Sequence, residues 1–268
     1  MSEEGGCGHP AETPQGEIRV EDEGPLRIIT LCRASARNAL SMAGARELRK
    51  AFRGFDTDES VSVGIVQGEG GTFCAGADLE EMSSGASYEA WAGDTGGLLG
   101  APLSKPLIAA VCGHAVAGGL GLALYCDLRV ADRSAVFGVF CRRFGVPMSD
   151  GTTVRLPRLI GESRALDMML TGRPVRADEA FAIGLVSEVT EPGRALARAK
   201  EIGRALSAFP QSALRSDRMS LLRSRGLSLL EALGQERHLA EEAKRTDARA
   251  GAARFAEGAG RHGGFDDV

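Results

Sequence analysis

Two turns rich in glycine and alanine are the residues of this chain best suited to chemistry. The first is Phe73-Cys74-Ala75-Gly76-Ala77-Asp78-Leu79. The second is Gly113-His114-Ala115-Val116-Ala117-Gly118-Gly119-Leu120-Gly121, which runs on into Leu122–Asp127. Small residues let backbone approach a ligand closely. The second turn also opens straight into an apolar helix, whose first N–H groups have no internal acceptor. Two such turns can aim two backbone N–H groups at one developing negative charge, as an oxyanion hole does. Proton transfer needs a further group, and two residues downstream suit it. Asp150, in Pro147-Met148-Ser149-Asp150-Gly151, is an acid that also fits an ordinary helix N-cap, worth about 1 kcal/mol. Cys141 is followed by Arg142 and Arg143 and becomes a nucleophile or acid where its pKa falls; among Phe137, Val139 and Phe140 it serves equally as a small apolar filler. His114 suits an orienting or internally satisfied role, and Asp78 suits the cap of a short helix.

The elements that must position these residues follow from pattern. Glu17–Glu21 and Pro25–Leu31 read as strands around the turn Asp22-Glu23-Gly24. Ser41 caps a helix through about Phe55 with Leu48 and Phe52 on one face. Val61–Gln67 and Pro106–Cys112 are buried strands, each leading into a glycine-rich turn. Residues 80–99 are polar and small, the composition of mobile cover over a site. Leu128–Ala131 and Ala135–Gly138 are short strands. Gly151–Ile160 and Glu162–Leu170 are helices broken at Gly161, and Ala177–Ile183 with Leu185–Val189 forms a helix–strand pair. From Pro192 the pattern is all helical: Gly193–Phe209, Gln211–Arg225, Ser228–Thr246 and Ala248–Glu257. Three regions result: a polar leader at 1–16, an α/β core at 17–192 built from stacked ββα units, and a helical region at 193–268.

Composition excludes several classes. The net charge of −4 carries no basic patch of the kind nucleic acid requires. The leader has no apolar stretch for a signal peptide or membrane span, which leaves a cytoplasmic protein as the expectation. Six scattered cysteines without a C-x-x-C pair read as reduced thiols, and four isolated histidines offer no metal spacing, so neither a metal nor a separate cofactor is expected.

Together with Leu31–Leu40, Lys105–Gly113, Arg155–Gly161, Leu170–Arg173 and Ala177…Gly184-Leu185-Val186, the two turns resemble the enoyl-CoA hydratase/isomerase (crotonase) family over nearly the whole chain after the leader. The resemblance implies a crotonase-like ββα superhelix with a C-terminal helical trimerisation region, assembled as a homotrimer or dimer of trimers. It also implies an acyl-CoA thioester as substrate, in fatty acid metabolism or a related route, with coenzyme A present only as part of that substrate. The family's two oxyanion donors fall on the N–H groups of Ala77 and Gly118. Its pantetheine and adenine contacts fall on Ser35, Arg37, Ala39, Ala75, Gly76, Asp78, Leu79 and Gly119. Arg33, Arg37 and Arg254 are candidates for its phosphates, and Phe255 is similar to an aromatic near its adenine. The family's two hydratase glutamates fall on Gly121 and Cys141, so this chain departs from the two-glutamate pattern. The loop aspartate of several proton-transferring members falls at Ser149, one residue before Asp150. These departures favour isomerase-type proton transfer through Asp150. An atypical hydratase, an acyl-CoA hydrolase or decarboxylase, and a non-catalytic acyl-CoA-binding protein are the alternatives.

Overall fold

The computed structural model describes residues 16–85, 89–92 and 97–260. Residues 1–15 of the expected leader and the last eight residues of the expected helical region lie outside the described residues.

Strands β1 (Ile18–Glu23) and β2 (Leu26–Leu31) form a hairpin paired from Ile18↔Leu31 to Glu23↔Leu26. The connection is therefore Gly24-Pro25, not Asp22-Glu23-Gly24: alternation carries the ladder through Glu23, and Gly24, at φ +59°, takes the left-handed conformation of the turn. Helix α1 (Met42–Thr57) starts where expected. Ser41 accepts the Gly44 N–H at 3.0 Å, and Leu48, Phe52 and Phe55 are buried along one face. There follow β3 (Val63–Gly68), α2 (Leu79–Ser83), β4 (Leu107–Val111), β5 (His114–Val116), α3 (Gly118–Tyr125), β6 (Leu128–Asp132) and β7 (Val136–Gly138). The helices α4 (Thr152–Ile160) and α5 (Glu162–Thr171), strand β8 (Val175–Arg176), helix α6 (Ala177–Ala182) and strand β9 (Glu188–Thr190) complete the core. The last strand starts later than the sequence pattern suggests, because Leu185 and Val186 turn inward as fully buried anchors before pairing begins.

The chain alternates between two sheets, the later units placing a strand in each. The main sheet has the order β1-β2-β3-β4-β6-β9, parallel except for the β1–β2 hairpin. The smaller sheet has the order β5-β7-β8, and a single bridge between Cys74 and Ala115 extends it by one residue toward the first glycine turn. This alternation is the ββα spiral. One face of the main sheet packs on the principal core, and the other packs on α7 (Ala195–Ala208) through Ala195, Ala199 and the Ile65–Val130 side of the sheet. Gly203 lets α7 lie close, since a Cβ there would stand 2.9 Å from the Leu26 side chain. Helices α8 (Gln211–Arg223), α9 (Leu229–Ala243) and α10 (Arg249–Glu257) form the C-terminal region. The expected break near 247 is a π-helical turn, Lys244–Ala248, that carries α9 into α10 without interruption.

One buried cation joins the end of α3 to the far edge of the core. Arg129 is 6% exposed and donates to the carbonyls of Leu185 (2.7 Å), Cys126 (2.7 Å), Ala123 and Asp127. It satisfies acceptors that α3 leaves unpaired at its C-terminus. Arg129→Met retains the volume but strands those carbonyls, and we expect a loss of about 1–3 kcal/mol in urea unfolding. An unchanged unfolding midpoint would show the carbonyls to be satisfied without it.

Candidate active site

The two glycine-rich turns meet. The Cys74 N–H donates to the His114 carbonyl at 2.9 Å and the Val116 N–H to the Cys74 carbonyl at 3.1 Å. Gly76 lies so close that a Cβ on it would stand 2.8 Å from Gly118 N and 3.0 Å from the Ala117 Cβ; its φ of +102° also belongs to glycine. On its other side the first turn bridges Leu40: Leu40 N–H donates to Gly76 O at 2.8 Å and Asp78 N–H to Leu40 O at 2.9 Å. A parallel bridge of this kind uses the residues flanking Ala77, so the Ala77 N–H points away from Leu40. Gly118 is the first residue of α3, where N–H groups lack intrahelical acceptors. Its predecessor Ala117 takes φ +50°, ψ −126°, a conformation an alanine adopts only when its surroundings impose it, and its N–H is tied to the Gly138 carbonyl at 2.9 Å.

Both turns open on one cavity of about 190 Å³, whose wall includes Ala75, Ala77, Leu79, Gly118, Cys141 and Asp150. Six of the residues singled out from the sequence are thus brought together. Gly119 is not on that wall; it is buried beneath Cys74, whose carbonyl oxygen would stand 2.0 Å from a Cβ at 119. Ser35, Arg37 and Ala39 lie on the neighbouring ridge, joined to the site where Ala75 N–H donates to the Arg37 carbonyl at 3.1 Å. Asp78 caps α2 through the N–H groups of Glu80 and Glu81 and pairs with Arg33 at 2.5 Å. Burial alone would push its carboxyl up, but Arg33 and the capping N–H groups outweigh burial and hold it below the usual range. Arg33 is therefore engaged by a carboxylate of the chain itself. The His114 ring packs edge-on against Phe140, with ring centres 6.3 Å apart.

Asp150, the acid singled out from the sequence, lies on the cavity wall beside Gly121. It is 4% exposed, and Thr152 N–H donates to its Oδ1 at 2.8 Å; α4 begins one residue later than expected, so its N-cap is Gly151, at φ +86°, and Asp150 stands just before the cap. Its carboxyl group fills the space that a side chain at 121 would take: a Cβ on Gly121 would stand 2.4 Å from Asp150 Cγ and 2.6 Å from Oδ2. Among the described residues lining the cavity, Asp150 is the only carboxylate. Cys141 lies on the same wall with its Sγ 3.1 Å from Met148 Sδ. Burial and the neighbouring Asp150 push the Cys141 thiol up, and Arg142 opposes this only weakly, so the neutral thiol is favoured.

Sequence reasoning missed two residues that hold this geometry. Asn38, fully buried and at φ +55°, donates to the carbonyls of Glu69 (2.9 Å) and Thr72 (2.6 Å) and accepts from Arg33 N–H at 3.0 Å. It thereby clasps the 68–76 loop to the 33–40 segment; an asparagine beside a helical turn, tolerant of positive φ, was the available signal. Trp91, the single tryptophan, lies within the segment read as mobile cover but is 2% exposed, its ring 2.7 Å from where a Gly118 Cβ would stand. The described part of that segment is therefore anchored: Leu99 N–H bonds Trp91 O, and Ala92 N–H bonds Ser149 O at 3.0 Å.

The spiral of two sheets and the paired turns at its inner edge define a crotonase-type fold. Residues 21–262 match the family described as Enoyl-CoA hydratase/isomerase. A probable enoyl-CoA hydratase of Rhizobium meliloti (strain 1021) is 38% identical over 227 residues, covering 83% of this chain and 87% of that protein. The 2,3-dehydroadipyl-CoA hydratase of Escherichia coli (strain K12) is 37% identical over 226 residues, covering 83% and 88%. The crystal structure of enoyl-CoA hydratase from Mycobacterium tuberculosis H37Rv superposes with a TM-score of 0.85 at 36% identity, covering 91% of this chain and 96% of that one. This chain belongs to the enoyl-CoA hydratase/isomerase family and is an enzyme of the kind that acts on CoA thioesters. Among the described residues, no helix is long and apolar enough to cross a membrane.

The environment of Asp150 has a consequence for stability. Burial holds its carboxyl above the usual carboxylate range, with the Thr152 N–H acting in the opposite sense. A group raised on folding stabilises the fold when protonated; that contribution is complete below the ordinary aspartate range and is lost as pH rises through the raised value. Asp150→Asn keeps an oxygen for Thr152 and removes the buried charge. It should melt higher than the wild type at pH 8, with the difference shrinking towards pH 4. A variant that melts lower at pH 8 would show that the ionised carboxylate is stabilised where it stands.

Proposed function

We propose that this enzyme binds an acyl-CoA thioester with its carbonyl oxygen between the N–H groups of Ala77 and Gly118, and that Asp150 moves the proton. The observation that carries this reading is the exchange of places between Gly121 and Asp150. Where the family's first hydratase glutamate would project from α3, this chain has glycine, and the carboxyl of Asp150 enters the vacated volume from the opposite wall. The site thus keeps one acid where the hydratase pattern has two.

Removal of an α proton from a thioester leaves an enolate whose charge settles on the carbonyl oxygen. Two preorganised backbone donors lower that barrier, each by roughly 3–4 kcal/mol. The bridges through Leu40 and Cys74 hold them in place, preorganised for the oxygen. A single carboxylate can take the α proton and return it to the γ carbon, which shifts a double bond. The raised proton affinity of Asp150 suits both halves of that transfer. Cys141 stands at the second glutamate position as a neutral thiol against Met148, a wall rather than an acid of matching strength. Isomerase-type transfer is therefore the reading we favour. The names of the relatives favour a second: hydration, with water positioned by Asp150 and backbone groups.

Assembly follows the family in this proposal. The C-terminal helices leave Leu229 (77% exposed), Leu230 (81%) and Leu233 (52%) uncovered, an apolar stripe suited to contact between copies in a trimer or a dimer of trimers.

Incubating a panel of acyl-CoA esters with the enzyme in heavy water and reading the acyl mass separates these possibilities. Isomerase-type chemistry predicts deuterium at carbon with no net gain of water, and a fall of about 10²- to 10⁴-fold in Asp150→Asn. Gain of a full water molecule would establish the hydratase reading instead. Exchange that survives in Asp150→Asn would remove Asp150 as the carrier.

A further inference from the structure

A second cavity, of about 680 Å³, lies behind the wall formed by Asp150 and Gly151, between the end of α3, α4 and α8. It gathers five guanidinium groups, Arg129, Arg155, Arg158, Arg218 and Arg225, around one carboxylate, Asp127. Three of the five are already committed. Arg129 is spent on backbone carbonyls. Arg155 donates to the carbonyls of Asp150 (3.0 Å) and Leu99 (2.5 Å) and lies over the Tyr125 ring. Arg218 pairs with Asp127 at 2.8 Å and donates to the Leu103 carbonyl. Asp127 in turn accepts the Leu107 N–H on its other oxygen, and its charge favours the Arg225 cation less than Arg158 disfavours it.

Arg158 and Arg225 remain, exposed to the cavity and without an acidic partner among the described residues. They stand within each other's field: after burial, the charge of Arg158 is the main influence disfavouring the Arg225 cation, and both act the same way on Arg155. Three mutually repelling cations around a cavity of ligand size, walled elsewhere by Leu124, Leu128 and Val154, form an arrangement that an anion relieves.

We propose that this cavity binds a phosphate-bearing small molecule, gripped by Arg158 and Arg225 with Arg155 beneath. Two unpaired guanidinium groups call for two negative charges on one compact group, and the planar fork of arginine matches phosphate oxygens in pairs. Only the nature of the fold and of the CoA-thioester family enters this inference; it does not depend on which reaction the first cavity performs.

Titration calorimetry on the full chain with inorganic pyrophosphate tests it. The wild type should bind one pyrophosphate per chain, and Arg158→Ala/Arg225→Ala should bind it at least tenfold more weakly. Arg158→Lys/Arg225→Lys, which keeps the charge but not the forks, should fall between. Circular dichroism on both double variants reports whether the fold is intact. Coenzyme A is the second titrant. If the alanine variant loses pyrophosphate and coenzyme A together, the phosphate is that of coenzyme A; if it retains coenzyme A, the ligand is a separate phosphate compound. The proposal is overturned if the wild type binds no pyrophosphate, or if the folded alanine variant binds it as the wild type does. It is equally overturned if light scattering shows that the alanine variant changes the mass of the assembly, which would mean that these arginines meet acidic residues of another copy.

Discussion

Everything in the candidate active site depends on how closely two turns of backbone approach each other. Gly76 and Gly118 are separated by less than a side chain, and the hydrogen bonds on either side, through Leu40 and through the Cys74–Ala115 bridge, hold them there. The fold is arranged to deliver this contact. Each unit of the spiral lends a strand to the main sheet and a strand or bridge to the smaller one, so consecutive glycine turns emerge at the same edge. Ala117 carries strain at the second turn: its positive φ aims the first N–H of α3 while its own N–H is anchored on Gly138. A buried tryptophan from the covering segment then closes over Gly118, where any side chain would collide with its ring.

The second constraint is electrostatic. A carboxylic acid buried to 4% exposure is costly in its ionised form. The chain offsets part of that cost with one backbone N–H from Thr152 and leaves the rest as a raised proton affinity. Glycine at 121 is what makes room for the group, so a residue that reads as a missing catalyst is the condition for an acid arriving from elsewhere. Under the proposed proton transfer, stability and chemistry pull against each other at this position.

Much of this was legible in the sequence because it rests on short-range rules. The capping of α1 by Ser41, the buried strands leading into each glycine turn and the convergence of the two turns follow from residue type and spacing; the particular pair Ala77 and Gly118 came from the resemblance to the family. That Asp150 would bond the start of α4 was legible too, although Gly151 takes the cap position itself; its placement against Gly121 was not, since that contact joins residues 29 positions apart through packing alone. Asn38 escaped for a similar reason: its three hydrogen bonds go to backbone on two different segments, and nothing in its neighbours announces them. Trp91 was hidden by composition, as the small polar residues around it read as solvent-exposed cover. The arginines behind Asp150 were likewise scattered over β6, α4, α8 and the turn after α8, and became a group only in three dimensions.

The measurement that bears most directly on this account is a crystal structure with a non-reactive acyl-CoA analogue bound. The account predicts the thioester oxygen within about 3 Å of both Ala77 N and Gly118 N, and a carboxylate oxygen of Asp150 in hydrogen-bonding range of the α carbon's proton. A thioester oxygen bonded to other donors, or Asp150 turned away from the acyl group with the α carbon facing Cys141, would contradict it.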